Sequence, residues 1–129
     1  MTKHVVRTEA APAPFQGAPY SQAIKANGFV FVAGQVGLVP GEKALVPGGI
    51  AEQTEQAMKN LSAILTASGS SLGQVVKTSV FLQSLDDFAG MNEVYARHVG
   101  DAPPARSTFE VAKLPAGALV EIEAIAIAG

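Results

Sequence analysis

Apolar residues recur along the chain with two different periods, which predicts strands and helices in a definite order. Phe29–Val32 is β-branched and aromatic, and it follows Asn27-Gly28, a dipeptide typical of tight hairpin turns. An antiparallel pairing with the preceding Ser21–Ala26 is therefore expected. Between Ile50 and Ser68 the apolar residues are spaced by three and four, the period of one helix face. The Gly- and Pro-rich residues 37–49 between these segments predict a loop.

The second half of the chain continues the alternation. Gln74–Leu82 is rich in valine and long enough for a central strand, and a helix is expected from Asp86 to a stop at Gly100, capped by Asp86 or Asp87. The last third is expected to form two strands, Arg106–Val111 and Ala118–Ala128. This order of elements predicts an α/β (α+β) fold in which a mixed sheet carries two helices on one face.

Composition adds an expectation about how the sheet face without helices is covered. The 129 residues, 1–129, allow a single domain, but 48% of them are hydrophobic and only 16% are charged. A chain with so little polar surface is expected to cover the open sheet face with a neighbouring subunit. The net charge of -2 and the absence of any basic run argue against nucleic-acid binding.

Other classes are excluded by what the chain lacks. It has no cysteine and two histidines, so neither thiolate chemistry nor a metal centre is expected. Residues 1–14 contain no apolar signal region, and no segment approaches the ~18 apolar residues of a membrane span. The cytoplasm is the expected compartment, and no membrane partner is expected.

Glu121 is a charged residue in an apolar strand. Period two places five side chains on one face of the last strand: Leu119, Glu121, Glu123, Ile125 and Ile127. A carboxylate among aliphatic neighbours indicates either a pocket or a structural ion pair with Lys77, Lys113 or Arg106. The sequence leaves both interpretations open.

Arg106 and Tyr20 each follow a proline-restrained segment. Pro103-Pro104 limits how the next strand starts, and a guanidinium aimed in this way suits a carboxylate ligand, which it binds through two parallel hydrogen bonds. The alternative is a structural pairing of Arg106 with Glu110 or Glu121. Tyr20, in a turn before a strand, is suited to closing a pocket wall and holding a water through its hydroxyl, or it simply fills the core.

Five segments of the chain carry a family resemblance. They are Ala18-Pro19-Tyr20-Ser21-Gln22-Ala23, Val32-Ala33-Gly34-Gln35, Val76 to Leu82, Met91-Asn92-Glu93-Val94-Tyr95, and Pro104-Ala105-Arg106-Ser107 through Val120-Glu121-Ile122-Glu123-Ala124. Together they resemble the RidA (YjgF) family of reactive-intermediate deaminases over nearly the whole chain. The arginine after Pro-Ala and the Glu-x-Glu-Ala ending form the most specific of these matches.

The resemblance implies a chorismate-mutase-like homotrimer with a central barrel and an active site in each cleft between subunits. It implies that Arg106 anchors the substrate carboxylate, that Glu121 positions or activates water, and that Tyr20 forms an aromatic wall. Gly34, Asn92 and the neighbouring Ala33 fall on substrate-binding positions of the cleft. The implied reaction, which needs no cofactor, is hydrolysis of 2-iminopropanoate and 2-iminobutanoate to 2-oxo acids and ammonia.

Departures from the family pattern keep other functions open. Ala33 stands where many members have serine and Thr108 where many have cysteine, and Gly100–Ala105 is shorter than in many relatives, with Pro103 where an aromatic is common. A binding or regulatory protein that captures a carboxylate metabolite without turnover is one alternative. A deaminase for another imine or enamine, of the aminoacrylate type, is a second, and an endoribonuclease, disfavoured by the charge balance, is a third.

Overall fold

The computed structural model describes residues 2–128. Its strands are β1 (His4–Val6), β2 (Ala23–Ala26), β3 (Phe29–Gln35), β4 (Val75–Leu82), β5 (Ala105–Glu110) and β6 (Val120–Ile127), and its α-helices are α1 (Ile50–Ala67) and α2 (Phe88–Val99). The strands form one sheet in the order β1-β2-β3-β6-β4-β5. Only β4 and β5 are parallel, and all other neighbours are antiparallel. The predicted mixed sheet is confirmed.

The hairpin between β2 and β3 forms where the sequence predicts it. Asn27 and Gly28 both adopt positive φ, 54° and 82°, as a two-residue turn of this kind requires. Ala26 then pairs with Phe29, and the antiparallel ladder continues to Ala23 and Val32. The turn sets the register and so decides which side chains of β3 face the core.

Both helices pack on one face of the sheet, as predicted. The apolar stripe of α1 contributes four large, fully buried side chains, Met58, Leu61, Ile64 and Leu65. They meet the inward-facing residues of the central strands, Val30, Val32, Val80, Leu82, Val120, Ile122, Ala124 and Ala126. Each such large side chain contributes roughly 1.5–3 kcal/mol by leaving water. This layer is the hydrophobic core of the described residues.

The N-terminus of α2 differs from the expected one. A 3-10 turn at Leu85–Asp87 precedes the helix, and the side chain of Ser84 accepts the backbone N–H of Asp86 at 3.2 Å. Asp87 stands at the start of α2 but makes no side-chain cap. Asp87 thus occupies the N-cap position, as predicted, but its carboxylate accepts no hydrogen bond there. The side-chain cap is made one turn earlier, by Ser84.

No element within residues 2–128 covers the opposite sheet face. Five large apolar residues there are between 40% and 54% exposed: Val5, Phe29, Phe31, Phe109 and Ile127. Neither α1 nor α2, the α-helices within residues 2–128, has the length and apolar character needed to cross a membrane.

Buried polar residues of α1 hold two loops over one end of the sheet. Asn60 donates from its amide to the carbonyls of Val36, at 3.1 Å, and Leu38, at 2.8 Å. Gln53 accepts the N–H of Leu119 at 2.8 Å. These loops carry a small second core made of Val36, Leu38, Leu114 and Ala118. They border the cleft that contains Glu121.

Candidate active site

Glu121 lies on the open face of the sheet, paired in register with Phe81 of β4. Its carboxylate rests directly on the backbone of Gly34, since a Cβ atom added to Gly34 would overlap Oε2 of Glu121. Only glycine leaves room for the carboxylate at this point. Glycine at position 34 and glutamate at position 121 thus form one local unit.

A bulge in β3 brings Gly34 to this place. The register between β3 and β6 shifts between Val32 and Gln35. Two residues of β3, Ala33 and Gly34, therefore stand opposite a single residue of β6. The N–H of Ala33 donates to the carbonyl of Gln22 at 2.9 Å, and its carbonyl accepts from the Gln35 side chain at 3.0 Å. The backbone N–H of Ala33 is therefore already used and cannot donate to a substrate.

Tyr20 lies beside Glu121 at the wall of the same cleft. Its side chain is 44% exposed, so it is not a core residue. The Tyr20 hydroxyl accepts the backbone N–H of Phe15 at 2.7 Å, which leaves its own proton free to be donated. The cleft is lined by Tyr20, Gly34 and Glu121 together with Pro12, Ala13, Phe15, Gln22, Gln35, Val36, Leu38, Pro115 and Ala116.

Gln22 holds the N-terminal wall of this cleft, a role that the sequence does not predict. Its buried amide nitrogen donates to the carbonyls of Thr8 at 3.0 Å and Pro12 at 2.8 Å, and its oxygen accepts the N–H of Thr8 at 2.7 Å. The side chain thus ties an irregular segment to β2. The sequence contains no signal for these contacts, because they join residues ten or more positions apart.

The surroundings of Glu121 favour its protonated form more than water does for a free glutamate. Burial raises the pKa of Glu121, and the negative charge of Glu123 raises it further. Within residues 2–128, Glu121 forms no ion pair with a lysine or arginine. The structural pairing with Lys77 that the sequence leaves open is not formed, and the Lys77 ammonium donates instead to Ser107 at 3.0 Å.

Arg106 lies against α2, on the helix side of the sheet. Its guanidinium carbon is 4.9 Å from the ring centre of Tyr95 and 5.6 Å from that of Phe88, both within cation–π range. Glu110, its other possible partner, accepts the N–H of Leu85 instead. No carboxylate within the described residues pairs with Arg106.

The sequence predicts Phe88 and Tyr95 as part of the apolar stripe of the second helix, but not as neighbours of Arg106. Phe88, Asn92 and Tyr95 follow one another at spacings of four and three, so they share the α2 face that meets Arg106. The side-chain oxygen of Asn92 is buried and has no hydrogen-bond partner within residues 2–128. A buried carbonyl of this kind is ready to accept a ligand donor.

Arg106 and Glu121 lie on opposite faces of the sheet. Arg106 is level with Thr78 and Ala124, which are both buried under the helices. Glu121 is an odd number of residues from Ala124, which places it on the other face. Two strand spacings of about 4.8 Å and three rises of about 3.3 Å separate the two Cα atoms by about 14 Å. The structure thus places the predicted site residues in two separate groups, here called half-sites: one contains Tyr20, Gly34 and Glu121, and the other Asn92 and Arg106.

A mixed six-stranded sheet with two helices on one face defines an α+β protein, and solved structures share it. The chain is similar to the crystal structure of yeast Mmf1, with 44% identity, a TM-score of 0.94, and coverage of 99% of this chain and 100% of that one. Residues 8–128 match the profile of the family described as endoribonuclease L-PSP.

Two relatives at about 50% identity support the same family. A 2-iminobutanoate/2-iminopropanoate deaminase of Mus musculus is 46% identical over 127 residues, which cover 98% of this chain and 93% of that protein. A RutC family protein of Pyrococcus horikoshii is 51% identical over 124 residues, 96% of this chain and 97% of that protein. The chain therefore belongs to the endoribonuclease L-PSP family, which is the RidA (YjgF) family, and the resemblance seen in its sequence is confirmed.

Proposed function

We propose that this protein hydrolyses the C=N bond of small 2-imino acids, 2-iminopropanoate and 2-iminobutanoate, in sites shared between the subunits of a homotrimer. The observation that carries the proposal is the separation of Arg106 and Glu121 onto opposite faces of the sheet, each without an ion-pair partner within residues 2–128. The deaminase name of the mouse relative supports the reaction class.

Arg106 binds the substrate carboxylate in this proposal. Its fork of N–H groups matches the two oxygens of a carboxylate, so it fixes orientation as well as charge. The buried oxygen of Asn92, on the same helix face, accepts a hydrogen bond from the imino nitrogen. Holding the imine in one place makes the attack of water effectively intramolecular, an effect worth up to about 7 to 11 kcal/mol.

Glu121 handles the protons. It accepts one proton as water adds to the imine carbon and passes that proton to nitrogen, which gives a carbinolamine. It then moves the proton of the new hydroxyl to the same nitrogen, so that the C–N bond breaks, ammonia leaves and the C=O bond of the 2-oxo acid forms. The reaction consumes one water and no oxidant, so its balance calls for no cofactor. Because burial raises the pKa of Glu121, its carboxylate takes up a proton from water more readily at neutral pH. The free Tyr20 O–H holds the attacking water.

Neighbouring subunits complete each site. The open sheet face exposes Phe29, Phe31 and Ile127, and burying it against further copies removes this apolar surface from water. A chorismate-mutase-like trimer places three such faces around a central barrel. In that arrangement the Arg106 half-site of one subunit adjoins the Glu121 half-site of the next.

The name of the family raises an alternative, ribonuclease activity. The chain carries 9 Lys and Arg against 11 Asp and Glu and therefore offers no net cationic surface for a phosphate backbone. Capture of a carboxylate metabolite without turnover, and action on another imine, use the same Arg106 half-site. The choice of imine is therefore part of the test.

The test is the decay of 2-iminobutanoate, generated in place by threonine dehydratase and trapped with semicarbazide. Acceleration by the wild type, its loss in Arg106→Ala, and a fall in kcat without weaker binding of 2-oxobutanoate in Glu121→Gln are expected. Equal loss of turnover and binding in Glu121→Gln would give Glu121 a structural role. Binding of 2-oxobutanoate with no acceleration by the wild type would favour a binding protein or a different imine.

A further inference from the structure

Arg106 belongs to a closed chain of contacts that begins at its backbone and returns to its guanidinium. Its backbone pairs with Thr78 in the parallel ladder of β4 and β5. The Thr78 and Tyr95 hydroxyls form a hydrogen bond of 2.7 Å, and the Tyr95 ring lies under the guanidinium of Arg106. Strand, hydroxyl pair, ring and guanidinium thus form a closed chain of contacts.

The hydroxyl pair in this chain of contacts is buried and isolated. Thr78 is 1% exposed and Tyr95 is 5% exposed. A hydroxyl pair at this depth has no water to exchange with, so breaking it leaves a polar group without a partner. The bond therefore holds the Tyr95 ring at one height above the strand, and the ring in turn sets the height of the guanidinium.

The aromatic contacts leave the hydrogen-bonding edge of Arg106 free. Its contacts with Phe88 and Tyr95 are made to aromatic rings, whereas a carboxylate is bound by the N–H groups in the plane of the guanidinium. No carboxylate within residues 2–128 occupies those groups. A long arginine side chain loses rotamer freedom when it binds, and this loss is smaller when the side chain is already held.

We propose that the Thr78–Tyr95 hydroxyl pair positions Arg106 for carboxylate binding, so that Thr78 and Tyr95 are positioning residues of the site. This inference rests on the proposed function in taking Arg106 as the carboxylate anchor. It goes beyond that function in assigning the anchor's geometry to two buried hydroxyls that touch no substrate.

The experiment removes one hydroxyl at a time and keeps the shape. Tyr95→Phe retains the ring under Arg106, and Thr78→Val retains the volume of the strand residue. Each is expected to raise the KM for 2-iminobutanoate and the Kd for 2-oxobutanoate about three- to tenfold, the size of one hydrogen bond, with kcat nearly unchanged. The double variant is expected to be no worse than either single one, because both remove the same bond.

Two controls separate positioning from a general loss of stability. Thr54 is fully buried in α1, and its hydroxyl has no hydrogen-bond partner within residues 2–128. Thr54→Val therefore repeats the chemical change in the core without breaking a bond, and KM should stay at the wild-type value. Thr78→Ser keeps the hydroxyl and should restore most of the affinity lost in Thr78→Val.

A readout independent of turnover is the order of the arginine side chain. The chain has three arginines, Arg7, Arg97 and Arg106, so the Nε–H signals are few and Arg106→Lys assigns one of them. Nitrogen-15 relaxation should show Arg106 rigid in the wild type and as mobile as exposed Arg97 in Tyr95→Phe.

The outcomes separate this inference from the proposed function. Unchanged order of Arg106 in both Tyr95→Phe and Thr78→Val, or a loss in kcat with KM constant, would overturn the positioning role. Absence of imine hydrolysis by the wild type would overturn the proposed function, and the relaxation data would still decide whether the hydroxyl pair holds Arg106.

Discussion

Arg106 and Glu121 lie on opposite faces of one sheet, about 14 Å apart at their Cα atoms by strand geometry. A small imino acid cannot reach both groups within one chain. If both act on one substrate, they must come from different subunits, and this geometry can be tested directly.

Mixing two inactive variants should restore activity. Arg106→Ala chains still carry Glu121, and Glu121→Gln chains still carry Arg106, so a mixed assembly contains intact sites. Random assembly of equal amounts leaves about one site in four with both native residues, so activity should recover to about a quarter of the wild type. The measurement is imine hydrolysis after co-refolding, with each variant refolded alone as the control. Recovery near zero would mean that both residues serve a site within one chain or that one of them is not catalytic.

Gly34→Ala should move the Glu121 carboxylate. The added methyl would occupy the position of Oε2, and the carboxylate must turn away from the cleft. A displacement of this size at a reacting group is expected to lower kcat about 100-fold. Gly73 has no atom closer than 3.8 Å to an added Cβ, so Gly73→Ala is the matched control. Normal turnover by Gly34→Ala would show that Glu121 is not held by the bulge in β3.

The open sheet face should control assembly. Phe31 is 44% exposed in the chain, and Phe31→Glu places a charge on the surface proposed to be buried between subunits. Light scattering should then give the mass of one chain at concentrations where the wild type should give that of a trimer, and imine hydrolysis should be lost with the assembly. Phe31→Leu keeps the face apolar and should leave the trimer intact. A wild type that is itself monomeric would contradict the proposed assembly.

The Glu55–His98 contact should make stability depend on pH. The carboxylate accepts from His98 at 2.8 Å, and this hydrogen bond lowers the pKa of Glu55 below its ordinary value of 4.5. Because the folded-state pKa is depressed, the stabilisation is complete above the unfolded pKa and is lost as pH falls through the folded one. Glu55→Gln should therefore reduce the free energy of unfolding by about 0.2–1 kcal/mol at pH 7, as for a partly exposed pair.

The check is urea unfolding of both proteins at neutral and acid pH. The difference between wild type and Glu55→Gln should shrink towards zero once the pH is well below the ordinary pKa of 4.5. Glu93 forms a longer, more exposed pair with Arg97 at 3.6 Å, so Glu93→Gln should have a smaller effect. An equal loss at both pH values would contradict the assignment to the carboxylate.

Local patterns in the sequence determined most of the secondary structure. The Asn27-Gly28 turn requires two positive φ angles, and few other dipeptides adopt them, so the hairpin and its register follow from sequence alone. The three-and-four spacing of α1 is equally local. Period two in β6 likewise puts Glu121 on the face opposite to Ala124, because side chains alternate along every strand.

Tertiary structure decided what lies beside each of these residues. The sequence could not show that Arg106 lies over Tyr95 or that the Tyr95 hydroxyl meets Thr78, because only the folded sheet puts β5 beside β4 and packs α2 against both strands. The bulge that seats Glu121 on Gly34 is a mismatch between two strands and has no signal in either one. The chain thus encodes its elements and the faces of its strands locally. Its half-sites depend on contacts between distant segments, which only the folded sheet defines.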